Sequence, residues 1–511
     1  MKKLLCILLS LTLLAGCAAA PAETTAPGHA GEVLIRLSDE GVEFPADSGV
    51  SVANDILYYE AGHGEDYGEG KAWEAHTAEE AALHTVVHIT KPGTYRLTGT
   101  LSAGQIAVDL GKDAKTDPTA MVTLILDGVD ITCTVAPAVI FYNVYESGNT
   151  SGAGAGVILA DGSRNYIHGS HVAEIYAPGT EERLHKYDAA FYSRMSMNMG
   201  GTGMLCIEAD NEGLGTEMHL TIDGGEIYIA SGNDGINTNA DGVSVITVNG
   251  GRLWIAVSGT TGEGDGIDSN GSVVINGGHV ESYACSTSGD SGIDADMGVR
   301  INGGTVIATG NMLDPIDENG QTYAVFTFSL PQQPGTYTLK DAAGTTVVEL
   351  NAQNVFQTLI LSAPQLAEGA YTLWCGDTQF QGAAIRGGLI GQIQRPEWPG
   401  DDRGGGDVEI PPQPTVPVEI QGANPPADNR PEDMPLGQPS QGYDPGRMPI
   451  GEPPEGSDPS RMPVGQLPGG VTPPQGGFTG GGSVALIELA SEFHLTRGAN
   501  YFISVQPAAE N

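Results

Sequence analysis

Short runs of alternating apolar and polar residues recur along the middle of the chain, and a glycine pair follows many of them. Four similar phrases mark these glycine pairs: Ile222-Asp223-Gly224-Gly225, Val248-Asn249-Gly250-Gly251, Ile275-Asn276-Gly277-Gly278 and Ile301-Asn302-Gly303-Gly304. The first glycines of the phrases lie 26, 27 and 26 residues apart. Alternation predicts strands with one buried face, and a fixed period of this length is typical of a solenoid.

The apolar positions keep one register from repeat to repeat. They form three columns: Leu220, Ile246, Val273 and Val299; Ile222, Val248, Ile275 and Ile301; Ile227, Leu253, Val280 and Val306. A third strand follows in each repeat, as Asp-Gly-Ile-Asp or a variant of it: Asp234–Asn237, Asp265–Asp268, Ser291–Asp294 and Asp314–Asp317. We therefore expect an all-β fold, a parallel, right-handed β-helix. A β-sandwich is the alternative, but its strands would not repeat in this register.

The start of the chain predicts a secreted protein. Lys2 and Lys3 precede an apolar run that ends in Leu14-Ala15-Gly16-Cys17, as in a secretory signal with a small-residue cleavage site. This ending resembles a bacterial lipoprotein signal, in which Cys17 would carry the lipid. We expect a lipid-anchored protein on the extracellular face of the bacterial cytoplasmic membrane, and an ordinary secreted protein is the alternative.

Composition divides the rest of the chain into segments. We expect a signal peptide (1–17), a tether (18–50), the β-helix with an N-terminal cap (51–310), a small β cap (311–385), a disordered Pro/Gly-rich spacer with a 14-residue repeat (386–482) and closing strands (483–507). Residues 145–188 are irregular and predict a loop. The closing strands are expected to pair with the β cap, which would make the spacer an insertion.

The charge of the chain limits its partners. Lys and Arg total 22 against 63 Asp and Glu, a formal net charge of −41. Such a surface repels nucleic acid and anionic lipid, so we expect neither as a partner, and we expect a monomer. An anionic polysaccharide would also be repelled unless bound cations intervened.

Four cysteines remain after Cys6 and Cys17: Cys133, Cys206, Cys285 and Cys375. They are too far apart in sequence to resemble a metal knuckle. Cys206 and Cys285 are expected either as interior residues of the stack or as one disulfide, and the sequence leaves both open.

The third strand carries a column of polar residues. The position after each inward isoleucine holds Asn237, Asp268, Asp294 and Asp317, and two residues further on stand Asn239, Asn270, Asp296 and Asn319. Strands stack about 4.8 Å apart, so neighbouring carboxylates would repel by roughly 3–4 kcal/mol unless a cation lay among them. Oxygen ligands alone favour Ca²⁺. The expected ligands are Asp234, Asp265, Asp268, Asp290, Asp294, Asp296 and Asp317. The alternative is turn chemistry with stacked Asn amides.

A second column is aromatic. Tyr228 and Trp254 occupy equivalent positions in neighbouring repeats and are expected to point outward. Exposed aromatic rings on a rigid sheet suit sugar rings, although the two side chains would also serve as a cross-strand pair that only stabilises the sheet. With Asn237 and Asn270, they are the candidate ligand contacts.

Several of these features together resemble one family. They are Pro92-Gly93-Thr94-Tyr95-Arg96-Leu97-Thr98-Gly99, Leu126-Asp127-Gly128-Val129-Asp130-Ile131, the repeated Asp-Gly-Ile unit and Asn500-Tyr501-Phe502. The chain is similar to clostridial carbohydrate-binding β-helix proteins related in fold to pectate lyases. This resemblance implies a calcium-dependent binder of plant-type polysaccharide at a bacterial surface. The family usually continues with Asp-Gly-Thr-Glu-Asn where this chain has Asp161-Gly162-Ser163-Arg164-Asn165.

Three functions follow from this pattern. A polysaccharide lyase needs a base, usually Lys or Arg, beside its calcium. Arg252 and Arg300 are the basic residues of the regular repeats; register pairs Arg252 with Glu226, and Arg300 is expected to point away from the acidic column. We therefore expect a binding protein for pectin-type or cellulosic polysaccharide, with a lyase as the alternative. A surface adhesin that binds a protein through the spacer is a further alternative.

Overall fold

The computed structural model describes residues 31–54, 56, 78–150, 152–176, 183–385 and 489–508. These residues are almost entirely β-structure, with one short α-helix at Ala78–Ala81 and a 3₁₀-helix at Lys112–Thr116. Strands are numbered in chain order. Within the described ranges the helices are too short to cross a membrane.

Most strands lie in three parallel faces. The first and second faces begin with three shared strands: β1 (Glu32–Leu37), β4 (Gly93–Leu101) and β6 (Val122–Thr132). The first face continues with β8 (Ala155–Leu159), β13 (Met197–Gly201), β16 (Leu220–Ile222), β19 (Val245–Val248), β22 (Ser272–Ile275) and β24 (Val299–Ile301). The second continues with β9 (Arg164–Gly169), β14 (Met204–Ala209), β17 (Glu226–Ser231), β20 (Arg252–Val257), β23 (His279–Tyr283) and β25 (Thr305–Gly310). The third holds β3 (Thr85–Ile89), β5 (Gly104–Asp109), β7 (Val139–Asn143), β12 (Ala189–Ser193), β15 (Glu212–Thr216), β18 (Ile236–Thr238) and β21 (Ile267–Ser269).

Each strand of a face pairs in parallel with the equivalent strand of the next repeat. The predicted apolar columns are confirmed, for example Leu220 with Ile246, Ile246 with Val273, and Val273 with Val299. The side chains of these columns are buried in one continuous core that runs through the repeats. This stacking is compatible with the β-helix expected from the sequence.

The two glycines of each turn have separate roles. The second glycine has a positive φ, 95° at Gly225 and 82° at Gly278, which residues with a side chain rarely adopt. The first lies close to the preceding repeat, and a Cβ on Gly277 would stand 2.6 Å from the carbonyl oxygen of Asn249. The Gly-Gly pair therefore lets successive turns stack in contact.

The glycine of the Asp-Gly-Ile motif allows the third face to pack onto the second. A Cβ on Gly235 would overlap the side chain of Ile255 and lie 2.5 Å from the carbonyl oxygen of Gly266. The Asp beside it, Asp234, is buried and accepts a hydrogen bond from the Asp265 amide. The glycine of the motif is thus needed for packing, and the aspartates of the motif supply the carboxylates.

The parallel stack begins earlier and is more continuous than expected. Strand β1 lies inside the segment predicted to be a tether, yet it pairs in register with β4. The segment 145–188 was predicted as a loop, which is wrong over much of its length. It contributes β8 and β9 to the stack, followed by a hairpin of β10 (Val172–Tyr176) and β11 (Arg183–Tyr187). At the other end of the third face, β2 (Val50–Ala53) pairs antiparallel with β3.

The strands after residue 320 form a second unit with its own core. They are β26 (Tyr323–Gln332), β27 (Gly335–Asp341), β28 (Thr346–Ala352), β29 (Phe356–Ser362), β30 (Gly369–Cys375), β31 (Thr378–Ile385), β32 (Phe493–Leu495) and β33 (Ala499–Pro507). Strand β29 pairs antiparallel with β25 and so covers the edge of the stack.

The closing strands pair as expected: β33 with β26 and β31, and β32 with β30. The spacer 386–482, the signal segment and Cys17 lie outside the described residues.

Candidate functional site

Three aspartates of the third face come together. Asp268 lies on β21 and Asp265 just before that strand in the same repeat, and Asp294 lies on the next repeat because Ile267 bridges to Ile293 in parallel. One carboxylate oxygen from each residue lies within 4.8 Å of the others. Oxygens that share one Ca²⁺ at about 2.3–2.6 Å lie at most roughly 5 Å apart, so this separation fits a common calcium ion.

Two further predicted ligands border this cluster and are held by backbone amides. Asp234 Oδ1 accepts a hydrogen bond from the Asp265 amide at 2.7 Å, and Asp290 Oδ2 accepts one from the Gly264 amide at 2.8 Å. Asp265 Oδ1 itself accepts from the Ser291 amide. These bonds orient the carboxylates before any ligand arrives.

The electrostatics of Asp265 are those of a site that lacks positive charge. Burial raises the pKa of the Asp265 carboxyl well above its ordinary value, and the carboxylates of Asp234, Asp294, Asp268 and Asp290 raise it further. A cation among these oxygens would stabilise the ionised carboxylates and so lower this pKa. The residues present therefore fit a hard divalent cation, and the donor set of carboxylates is the one that Ca²⁺ prefers.

Asp317, predicted as a ligand, lies on a different face of the stack. Residues 314–317 do not continue the third face: Val299 bridges to Ile316, and the Asp317 amide donates to the carbonyl of Val299 at 2.8 Å. Asp317 thereby lies on the first face against Arg300, which pairs with its Oδ2. Arg300 thus lies on the first face, away from the cluster on the third face, and its carboxylate partner is the one residue of the expected column that lies elsewhere.

The remaining predicted residues of the third face lie outside the three-carboxylate group. Asp296 is exposed. Asn237 is buried, with its Nδ2 donating to Glu212 Oε1 at 2.8 Å, so it does not offer a surface contact for sugar as predicted. Asn270 Nδ2 donates to Asp241 Oδ1 at 2.8 Å. Stacked Asn amides, the alternative offered for this column, occur instead at the Gly-Gly turns.

The two aromatic candidates lie on another face. Tyr228 and Trp254 are register partners on β17 and β20, both half-buried, with ring centroids 6.5 Å apart. Tyr283 lies beyond them, its ring 6.0 Å from that of Trp254. The second face carries these rings and the third carries the acidic cluster, so the structure does not bring the two predicted sites together.

Arg252 forms a different ion pair from the one predicted. It is in register with Glu226, but its Nη2 lies 2.9 Å from Oε1 of Glu281 on the following repeat. Glu281 also accepts hydrogen bonds from His279 at 2.6 Å and from the Tyr283 hydroxyl at 2.8 Å. Glu281 occupies the position in its repeat that Tyr228 and Trp254 hold in theirs, and sequence spacing alone does not show that three donors converge on it.

The cysteines form no disulfide in the described part of the chain. Cys133 and Cys285 are buried, and Cys206 and Cys375 are half-buried. Burial raises the pKa of the Cys133 thiol to about 12. Cys206 and Cys285 therefore do not form the disulfide that the sequence left open; Cys285 is an interior residue, whereas Cys206 lies at an outward position of β14.

The fold and the cluster define a class: an all-β protein of stacked parallel strands with a carboxylate site on one face. Residues 84–324 match the family described as carbohydrate-binding domain-containing protein. This match agrees with the resemblance drawn from the sequence. The acidic cluster and the aromatic column both lie inside the matched residues.

Two individual proteins are also similar. A carbohydrate-binding domain-containing protein of Acetivibrio thermocellus is 36% identical over 144 residues, which cover 28% of this chain and 44% of that protein. The chain thus spans less than half the length of this curated relative. A solved structure, the polysaccharide lyase-like protein from C. thermocellum as a gadolinium derivative, matches with 23% identity and a TM-score of 0.34. That match covers 56% of this chain and 89% of the solved chain.

Proposed function

We propose that this chain is a calcium-dependent carbohydrate-binding protein that recognises plant cell-wall polysaccharide. The observation that carries the proposal is the convergence of Asp265, Asp268 and Asp294 within the residues that match the carbohydrate-binding family. Bound Ca²⁺ would supply positive charge on a chain with a formal net charge of −41. An acidic polysaccharide such as polygalacturonate is then attracted where it would otherwise be repelled.

The chain's own residues prepare this site. Asp265, Asp268 and Asp294 would hold the ion, and the amide hydrogen bonds to Asp234, Asp265 and Asp290 fix the surrounding carboxylates. The repeated motif holds these groups on a parallel sheet. A rigid array of this kind loses little conformational entropy when a polymer binds.

Binding is favoured over lyase chemistry by the positions of the two arginines. Arg252 pairs with Glu281 on the second face, and Arg300 pairs with Asp317 on the first face. The acidic cluster is on the third face, so neither side chain lies at the strand positions around it. A lyase base would have to reach a sugar bound at the cluster.

Calorimetry and retention test the proposal together. Chelator-treated protein should bind Ca²⁺, and polygalacturonate should retain it with calcium but not with chelator. The double variant Asp268→Asn with Asp294→Asn should lose both properties, while Asp377→Asn, an exposed change of charge outside the cluster, should keep them. Release of unsaturated sugar during the incubation would make the protein a lyase, and wild-type binding by the double variant would refute the assignment of the cluster.

We also propose the location inferred from Cys17, a lipid-anchored protein on the outer face of the cytoplasmic membrane. Metabolic labelling with a radioactive fatty acid tests it. The full chain should be labelled and the Cys17→Ala variant should not. Label in the variant would contradict the anchor.

A further inference from the structure

An aromatic column crosses the second face and is longer than the sequence indicated. Register pairing joins Tyr166 to Cys206, Cys206 to Tyr228, and Tyr228 to Trp254. All four residues are half-buried and lie at outward positions of β9, β14, β17 and β20. At about 4.8 Å per strand, the distance from Tyr166 to Trp254 is roughly 14 Å. The column therefore runs across the strands, along the axis of the stack.

A shallow trough follows the column. The outward position two residues further along β17 holds Ala230 and the same position on β20 holds Ala256, and these alanines are register partners. Ala230 is exposed. Methyl groups beside large rings leave room for a bound ring to lie against Tyr228 and Trp254. Tyr283, paired in register with Ala256, closes the trough at one end.

The other end of the trough leads into a cleft. Glu208, the register partner of Ala230, and His168, the partner of Glu208, both line a cavity of about 320 Å³. Its other polar lining residues are Thr132, Thr134, Ser170 and Asp210. His168 and Glu208 follow Tyr166 and Cys206 by two residues on the same strands, so cleft and column are continuous. Hydroxyl, imidazole and carboxylate groups are hydrogen-bonding partners for sugar hydroxyls.

Polar groups border the opposite side of the column. Arg252, Glu281 and His279 form one hydrogen-bonded network, and the Arg252 side chain is 46% exposed. Glu281 is in register with Trp254 and only 14% exposed, held by its three donors. The next residue of the column, Ile307, is buried in the C-terminal core, which ends the open surface.

The charges along this surface disfavour binding of an acidic polysaccharide. Four carboxylates lie beside the column or at its ends: those of Glu208, Asp210, Glu226 and Glu281. The positive charge beside them is the guanidinium of Arg252. A uronate would meet like charges there. Aromatic rings at successive register positions instead suit the apolar C–H faces of an extended, neutral sugar chain.

We propose that the column Tyr166, Tyr228 and Trp254, with its trough and cleft, binds an extended neutral polysaccharide without calcium. This is a second site, on a different face from the acidic cluster. It goes beyond the proposed function, which concerns the cluster, and either site can be lost without the other.

Retention on amorphous cellulose in the presence of chelator tests the proposal, using the full chain. The wild type should be retained, and each of Trp254→Ala and Tyr228→Ala should bind at least about tenfold more weakly. Trp374→Ala is the matched control. Trp374 is a half-buried indole on β30, 5.1 Å from the Lys340 ammonium and outside the column, so its loss should leave retention unchanged.

A variant that keeps every ring provides a second measurement. Ala230→Gln fills the exposed trough and should also weaken retention, while thermal unfolding stays at the wild-type temperature. Equal retention by the wild type, Trp254→Ala and Tyr228→Ala would overturn the proposal. So would retention only with calcium, or retention on starch, whose chain coils, in preference to cellulose. None of these results would affect the calcium test on polygalacturonate.

Discussion

The side-chain amide of Asn276 donates a hydrogen bond to Oδ1 of Asn249, with 2.8 Å between the two atoms. Asn249 donates in the same way to Asp223, and Asn302 donates to Asn276, each at 2.8 Å. A ladder of side-chain hydrogen bonds thus runs along the Gly-Gly turns, one rung per repeat. It ties successive repeats together at these turns.

Removing an inner rung should cost more than removing the last one. Asn276 both donates and accepts in the ladder, so Asn276→Ala should lower the free energy of unfolding by about 1–2 kcal/mol. Asn302 donates one bond to the ladder, and Asn302→Ala should cost about half as much. Denaturant unfolding of both variants measures this difference. Equal losses in the free energy of unfolding would show that the inner position of Asn276 in the ladder adds no stability.

The glycine of the Asp-Gly-Ile motif should not tolerate a methyl group. Gly235→Ala would press against Ile255 and the backbone of Gly266, and we expect a loss of about 3 kcal/mol or failure to fold. Gly200→Ala is the control, because its added Cβ would make only an ordinary 3.5 Å contact with Asp223. The two thermal midpoints give the comparison, and similar midpoints would refute the packing role.

The Arg300–Asp317 pair should matter for stability and not for calcium. Asp317 is 6% exposed, and its pKa is lowered because hydrogen bonds from Asn319 and Arg300 outweigh its burial. Asp317→Ala leaves Arg300 without this partner and should cost about 2–4 kcal/mol. Asp377→Ala, at an exposed position outside the stack, should change stability by less than about 0.5 kcal/mol. Calorimetry should show unchanged calcium affinity in the Asp317 variant; a loss of affinity would restore Asp317 to the site.

The metal-free protein should become less stable as the pH rises above the range where free Asp titrates. The folded pKa of Asp265 is raised, whereas unfolded Asp has a pKa of about 3.9. Between these two values the folded state binds more protons than the unfolded chain, so stability falls with increasing pH. Calcium would take the place of the proton on Asp265. Because it binds the ionised carboxylate, it should raise the stability of the folded protein most at neutral pH.

Unfolding in chelator at pH 5 and pH 7.5 measures this dependence. Asp265→Asn removes the titrating group and should give a flatter profile than the wild type. An identical slope in the variant would show that Asp265 does not carry the effect.

The sequence alone determined the repeat and most of its register. Constant turn length and inward aliphatic residues leave only one pairing that buries every column, so Leu220, Ile246, Val273 and Val299 stack as predicted. The same register brought Asp268 and Asp294 to neighbouring positions. Local pattern sufficed wherever one repeat copied the one before it.

Tertiary structure decided the places where the repeat breaks. After β25 the chain pairs residue 316 with β24, which takes Asp317 from the acidic column to Arg300. The irregular segment before residue 188 still contributes β9, which adds Tyr166 to the aromatic column. Arg252 has carboxylates on both sides and pairs with Glu281. Each outcome depends on which strand lies alongside, a choice made by long-range pairing and packing because no local spacing specifies it.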